Sequence, residues 1–140
     1  MSAGAGILTF AELKDGHLTP VARETVGVAR RLADQKAWKV VSVLIGENVS
    51  SLADQLLKIG ADKVITCESP KLAYFIDESY CKILADVAGT EGSAVILGGA
   101  TFPGKFLFSR LAATLSSGLA ADITAVEWDG DNILATRPAY

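Results

Sequence analysis

An excess of positive charge is the first thing this sequence lacks. Lys and Arg number 13 against 16 Asp and Glu, for a net charge of −3. Duplex nucleic acid is bound by clustered Lys and Arg that displace counterions, so a nucleic-acid partner is excluded. No run of like charge exceeds two residues, which leaves no charged tail. Long apolar runs are missing as well. None reaches the roughly 18 residues that span a bilayer, so no direct membrane insertion is expected. The opening Met1-Ser2-Ala3-Gly4-Ala5-Gly6 is short and carries no basic residue for a signal peptide. Cysteine is rare: Cys67 and Cys81 form no C-x-x-C pair, and two thiols do not make a structural zinc site. Both read as packed rather than reactive. A reduced compartment is the plain reading, and between the bacterial cytoplasm and the mitochondrial matrix the short opening segment favours the former. Histidine occurs once, as His17 in a turn beside Asp15, with no nucleophile placed by sequence to complete a triad. No catalytic constellation and no metal site stand out.

What is present is a packed fold. Half the residues are apolar and 21 % are charged, and residues 1–140 are expected to form one α/β domain. Apolar strand-like runs alternate with helical stripes, the pattern of a mostly parallel, twisted three-layer sheet with helices on both faces. The first strand is Ile7 to Ala11, followed by the polar turn Lys14-Asp15-Gly16-His17. Thr19 and Pro20 open a helix whose stripe is Ala22, Val26, Ala29 and Ala33. Lys39 to Ile45 is a second strand, apolar on both faces except at Ser42. Ser51 with Asp54 reads as a capping box. The helix it starts carries Leu52, Leu56 and Ile59 and stops at Gly60 in a left-handed turn. A third strand is Val64 to Thr66. Asp77 is expected to cap a helix bearing Tyr80, Ile83, Leu84 and Val87, with Gly89 beyond its end. The fourth strand, Ala94 to Leu97, runs into glycines, and a helix from about Gly104 to Leu115 has Leu107, Leu111 and Leu115 as its stripe. Asp122 to Trp128 and Asn132 to Arg137 form a closing β-hairpin about Asp129-Gly130-Asp131.

Open parallel sheets bind ligands past the carboxyl ends of the strands, where neighbouring connections diverge. The loops of the first and fourth strands place Glu12, Gly98, Gly99, Thr101 and Gly104 there. Glycines and a helix N-terminus suit an anion, but the spacing is neither G-x-G-x-x-G nor G-x-x-x-x-G-K-[ST]. A tight turn without a ligand is the plainer reading. Lys105 and Arg110 lie on the polar side of the last helix, and Phe102 and Phe106 fall off its core stripe. Those four residues are the candidate subunit interface.

Ile96-Leu97-Gly98-Gly99-Ala100-Thr101-Phe102-Pro103-Gly104-Lys105, then Leu107, Arg110-Leu111-Ala112-Ala113 and Leu115, resembles the pattern G-A-[TS]-x-x-G-[KR]-[DN]-L-x-P-R-x-A-A-x-L of electron transfer flavoprotein alpha subunits. Gly118-Leu119-Ala120-Ala121-Asp122 and Thr136-Arg137-Pro138-Ala139 are similar to segments that follow it there. Ala11-Glu12 with Gly16-His17-Leu18-Thr19-Pro20, and Gly60-Ala61-Asp62-Lys63-Val64, are similar to segments that precede it. Phe106 stands where the family usually has Asp or Asn, and Ser109 where it has Pro. The resemblance implies an N-terminal scaffold and interface domain with an adenine nucleotide alpha-hydrolase-like (Rossmann-like) fold that continues past the T-R-P-A segment. It implies an αβ heterodimer with a beta subunit. The full-length protein would carry FAD in a C-terminal domain that this chain does not contain, with none expected here. The complex would carry electrons from dehydrogenases, such as the acyl-CoA dehydrogenases of fatty acid beta-oxidation, to a membrane quinone oxidoreductase. The alternative is a free-standing ATP- or AMP-binding module of the universal-stress type, whose G-x-x-G then nine residues then G-[ST] loop is absent around Gly98 to Gly118.

Overall fold

Residues 6–138 are described by the computed structural model. Four parallel strands form the central sheet: β1 (Gly6–Phe10), β4 (Lys39–Gly46), β5 (Lys63–Glu68) and β6 (Val95–Leu97), in the order β5-β4-β1-β6. β1 pairs with β4 from Gly6 opposite Lys39 to Phe10 opposite Val43, and with β6 through Ile7 opposite Val95. Two small ribbons flank the sheet. One is β2 (Leu13–Lys14) with β3 (His17–Leu18), turning through Asp15 and Gly16, both at positive φ. The other is β7 (Ala125–Asp129) with β8 (Asn132–Thr136).

Helices cover both faces. Ile7, Val40 and Leu44 point to α1 (Pro20–Asp34) and α2 (Ala53–Ile59), where Val26, Leu32 and Leu56 meet them. Leu8, Phe10 and Val43 point the other way, to Leu84 of α3 (Asp77–Glu91) and Leu107 of α4 (Phe102–Leu115). Strand side chains alternate between faces, so consecutive apolar residues require cover on both sides. The polar break at Ser42 is answered across the sheet: Thr9 donates to it at 2.9 Å, both fully buried.

Several helix ends differ from expectation. Ser51 and Asp54 form no capping box. A 3-10 turn at Ser50–Leu52 precedes α2, and the Ser50 N–H goes instead to the Glu68 carboxylate at 2.7 Å. Gly60 ends α2 at φ 143° rather than in the left-handed helical region, with its N–H and that of Ala61 both on the Leu56 carbonyl. A side chain at Gly60 would press on Arg30, which packs over it. Asp77 lies inside the first turn of α3, and Ile76 is the cap residue, with no side-chain bond. The Asp77 carboxylate is already taken by Arg110. α3 runs through Gly89 to stop at Gly92, φ 65°. α4 begins at Phe102, two residues early, because Thr101 caps it and Pro103 sits in its first turn.

The closing hairpin is shorter than expected and stands outside the main sheet. Its turn is Gly130 and Asp131, with φ 64° at Gly130. The C-terminal end of α1 holds it: Trp128 Nε1 donates to the Leu32 carbonyl at 2.8 Å, and its ring meets Trp38 edge-on at 5.2 Å. Lys36 donates to the Gly130 carbonyl at 2.8 Å and lies over the Trp128 ring. Between the hairpin and the free edge of β6 runs a groove of about 780 Å³, with Ile96, Leu111, Leu115, Leu119 and Ile133 in its wall. Leu115, expected in the core, is 38 % exposed there.

Candidate functional site

The connection out of β1 leads through α1 to one side of the sheet, and the connection into β6 arrives through α3 from the other. The crevice therefore opens past the carboxyl ends of β1 and β6, as expected for an open parallel sheet. All five crevice residues meet there. Glu12 follows β1, and its carboxylate accepts a hydrogen bond from the Thr101 hydroxyl. That hydroxyl also accepts from the Gly104 N–H at 3.1 Å, the capping bond of α4.

The glycines are required by close approach. A Cβ on Gly98 would lie 2.1 Å from the Phe108 ring, and one on Gly99 would lie 2.8 Å from Val21. On Gly104 it would lie 2.1 Å from the Gly99 carbonyl oxygen, far inside van der Waals contact. Loop, helix and sheet are thus pressed together, with Phe108 and Val21 in the places where side chains at Gly98 and Gly99 would lie.

A cleft of about 320 Å³ lies beside the crevice, walled by Glu12, Asp15, Glu47, Phe75, Tyr80 and Pro103. Burial raises the Tyr80 hydroxyl above its ordinary pKa, and that hydroxyl donates to the Leu72 carbonyl at 2.7 Å. Asp122 is not part of this group; it pairs with Lys105 at 3.1 Å. His17 is exposed on β3. Among the described residues no cluster of His, Cys, Asp and Glu is arranged to hold a metal, and no helix is long and apolar enough to cross a membrane. Cys81 is buried against Thr114, and Cys67 is half-buried. The β6 groove has no Lys or Arg in its wall. It therefore offers no cation to the pyrophosphate of a flavin dinucleotide.

The four candidate interface residues share the outer face of α4. Phe102 and Phe106 are 78 % and 55 % exposed and stack edge-to-face, ring centres 5.0 Å apart. Lys105 and Arg110 are both engaged, with Asp122 and with Asp77 at 2.9 Å. The Asp77 carboxylate raises the Arg110 pKa further. Sequence reading overlooked a second exposed apolar run, Tyr74, Phe75 and Ile76, on the loop before α3. The signal was an apolar tetrapeptide, Ala73 to Ile76, between the breaker Pro70 and the helix.

A family model described as the electron transfer flavoprotein domain matches residues 7–140. The chain is 38 % identical over 137 residues to the electron transfer flavoprotein subunit alpha of Clostridium acetobutylicum, covering 96 % of this chain and 41 % of that protein. It is 43 % identical over 135 residues to the same subunit of Thermoanaerobacterium thermosaccharolyticum, with the same coverage. Against the acryloyl-CoA reductase electron transfer subunit beta of Anaerotignum propionicum it is 41 % identical over 123 residues, covering 88 % of this chain and 34 % of that one. The chain spans about two fifths of the length of the alpha subunits it matches.

Proposed function

This chain belongs to the electron transfer flavoprotein domain family, and on that premise we propose that it is the N-terminal scaffold and interface domain of an alpha subunit. In this reading it holds other parts of an electron carrier in place and performs no redox step itself. The observation that carries the proposal is the stacked, exposed Phe102–Phe106 pair on α4. Two aromatic rings in water at the surface are stabilised by a second protein surface that covers them. The partner is a beta subunit, met by Phe102 and Phe106 with Lys105 and Arg110 at the rim. The paired state of Lys105 and Arg110 supports a role in register more than in raw affinity.

FAD, in this reading, sits in the part of the alpha subunit beyond this chain's span. The assembled carrier would take electrons from dehydrogenases, acyl-CoA dehydrogenases among them, and pass them to a membrane quinone oxidoreductase. The bacterial relatives support a cytoplasmic setting. Purified alone, the 140-residue polypeptide should show no flavin absorbance; a stoichiometric yellow chromophore would overturn the proposal. Calorimetric titration with ATP and AMP separates it from a stand-alone nucleotide module, for which binding in the micromolar range would speak.

A further inference from the structure

The cleft beside the crevice is where the two exposed apolar runs of the molecule meet. Pro103, in its wall, follows Phe102 in the chain, and Phe75, also in its wall, stands between Tyr74 and Ile76. The aromatic face of α4 and the loop before α3 therefore border one cavity. Its floor is aromatic: Phe10 and Tyr80 are buried and meet edge-on at 6.2 Å, and Phe75 meets Tyr80 at 5.0 Å. Its mouth is acidic. Asp15, in the β2-β3 turn, and Glu47, just past β4, are both exposed there, and half-buried Glu12 joins them from the end of β1. No Lys or Arg shares that wall, and among the described residues none of the three carboxylates belongs to an ion pair.

Negative charge over an apolar floor is complementary to a cation on an alkyl stem, the make-up of a lysine or arginine side chain. A small free cation would fill the cleft and leave Phe102, Phe106, Tyr74 and Ile76 in water; a protein segment covers all of them. We propose that the cleft receives a lysine or arginine side chain of the beta subunit. The apolar stretch that carries it rests on Phe102 and Phe106 at one side and on Tyr74 and Ile76 at the other. The stem packs on the rings, and the cationic head meets Asp15 and Glu47. A volume of about 320 Å³ is at the small end for a ligand pocket, which suits a single side chain. This inference rests on the reading of the chain as one half of a heterodimer, and adds the chemistry that the partner presents.

Titration of full-length alpha subunit with beta subunit, native and with Asp15→Asn and Glu47→Gln combined, tests this. Both substitutions keep the side-chain shape at exposed positions and remove two charges. Affinity should fall at least about tenfold at low salt, the scale of a close interfacial charge pair, and the gap should narrow as salt rises. Carbodiimide labelling of carboxylates in the native proteins gives a second reading that needs no variant. On assembly, labelling of Asp15 and Glu47 should fall severalfold, while Asp34, exposed at the other end of α1, stays labelled. Native subunits that do not associate at all would remove the heterodimer reading itself. Equal affinity of native and neutralised protein, or undiminished labelling of Asp15 and Glu47 in the assembled heterodimer, would overturn the cleft proposal alone.

Discussion

Gly104 and Gly89 show how differently one residue type can act in two helices. At Gly104 a methyl group would meet the Gly99 carbonyl oxygen and the Thr101 hydroxyl that caps α4, so relief requires moving backbone. Gly104→Ala is expected to destabilise by about 2–3 kcal/mol, the scale of overpacking. At Gly89, inside α3, a Cβ meets nothing within 4 Å. Gly89→Ala should stabilise by about 0.5–1 kcal/mol through helix propensity and a less flexible unfolded chain. Chemical denaturation of both variants checks the opposite signs. Asp62 is a third case. Burial works against its charge, but the Val40 N–H and Arg30, each at 2.8 Å, hold its carboxyl below the ordinary range. With the folded pKa lowered, its contribution is complete above the ordinary carboxylate pKa and is lost as pH falls through the folded value. Asp62→Asn should therefore cost about 1 kcal/mol at neutral pH, discounted for its partial exposure, and progressively less in acid. Denaturation midpoints measured from neutral to strongly acid pH would show the two curves converging; parallel curves would refute this.

At the level of elements, the β7-β8 ribbon depends on α1. A two-stranded ribbon is marginal alone, and this one is fastened through Trp128, packed on Trp38 and bonded to the Leu32 carbonyl, with Lys36 and Arg31 reaching its backbone. Trp128→Phe keeps most of the ring and loses the indole N–H, for about 1 kcal/mol. Trp128→Ala removes the anchor and should cost about 3 kcal/mol. The distinguishing measurement is amide exchange: protection should collapse across residues 125–136 while β1 and β4 stay protected. Uniform loss over the whole sheet would mean that the ribbon is integral to the main core.

Over the whole molecule, apolar surface divides between a double-sided core and patches left outside it. Phe102, Phe106, Tyr74 and Ile76 are each more than half exposed, and the groove beside β6 adds a further apolar wall. These rings bury little in the chain itself, so Phe102→Ser with Phe106→Ser should change the melting temperature by no more than about 2 °C. Association with a beta subunit, measured by titration, should weaken at least about tenfold if the pair is central to the interface. Unchanged affinity would move the interface elsewhere, with the Tyr74 to Ile76 loop and the β6 groove as the remaining apolar surfaces.

Hydrophobic periodicity alone determined the order of the main strands and helices, and that both sheet faces are covered, because burial on two sides leaves unbroken runs such as Val43 to Ile45. The motif segments were sufficient to mark the family, and the place of the first and fourth strands in an open parallel sheet brought Glu12 and the Gly98 to Gly104 loop together on paper. What periodicity does not carry is where a helix end finds its hydrogen-bond partner. Ser51, Asp54 and Asp77 have capping chemistry, yet the partners that decided their roles, Glu68 and Arg110, lie 18 and 33 residues away from the groups they bind. The same holds for Glu12, whose carboxylate meets Thr101 across 89 residues. Local pattern reports burial, which is a property of the chain nearby. Pairing of polar groups depends on which distant segments the fold brings within about 3 Å, and only tertiary structure decides that.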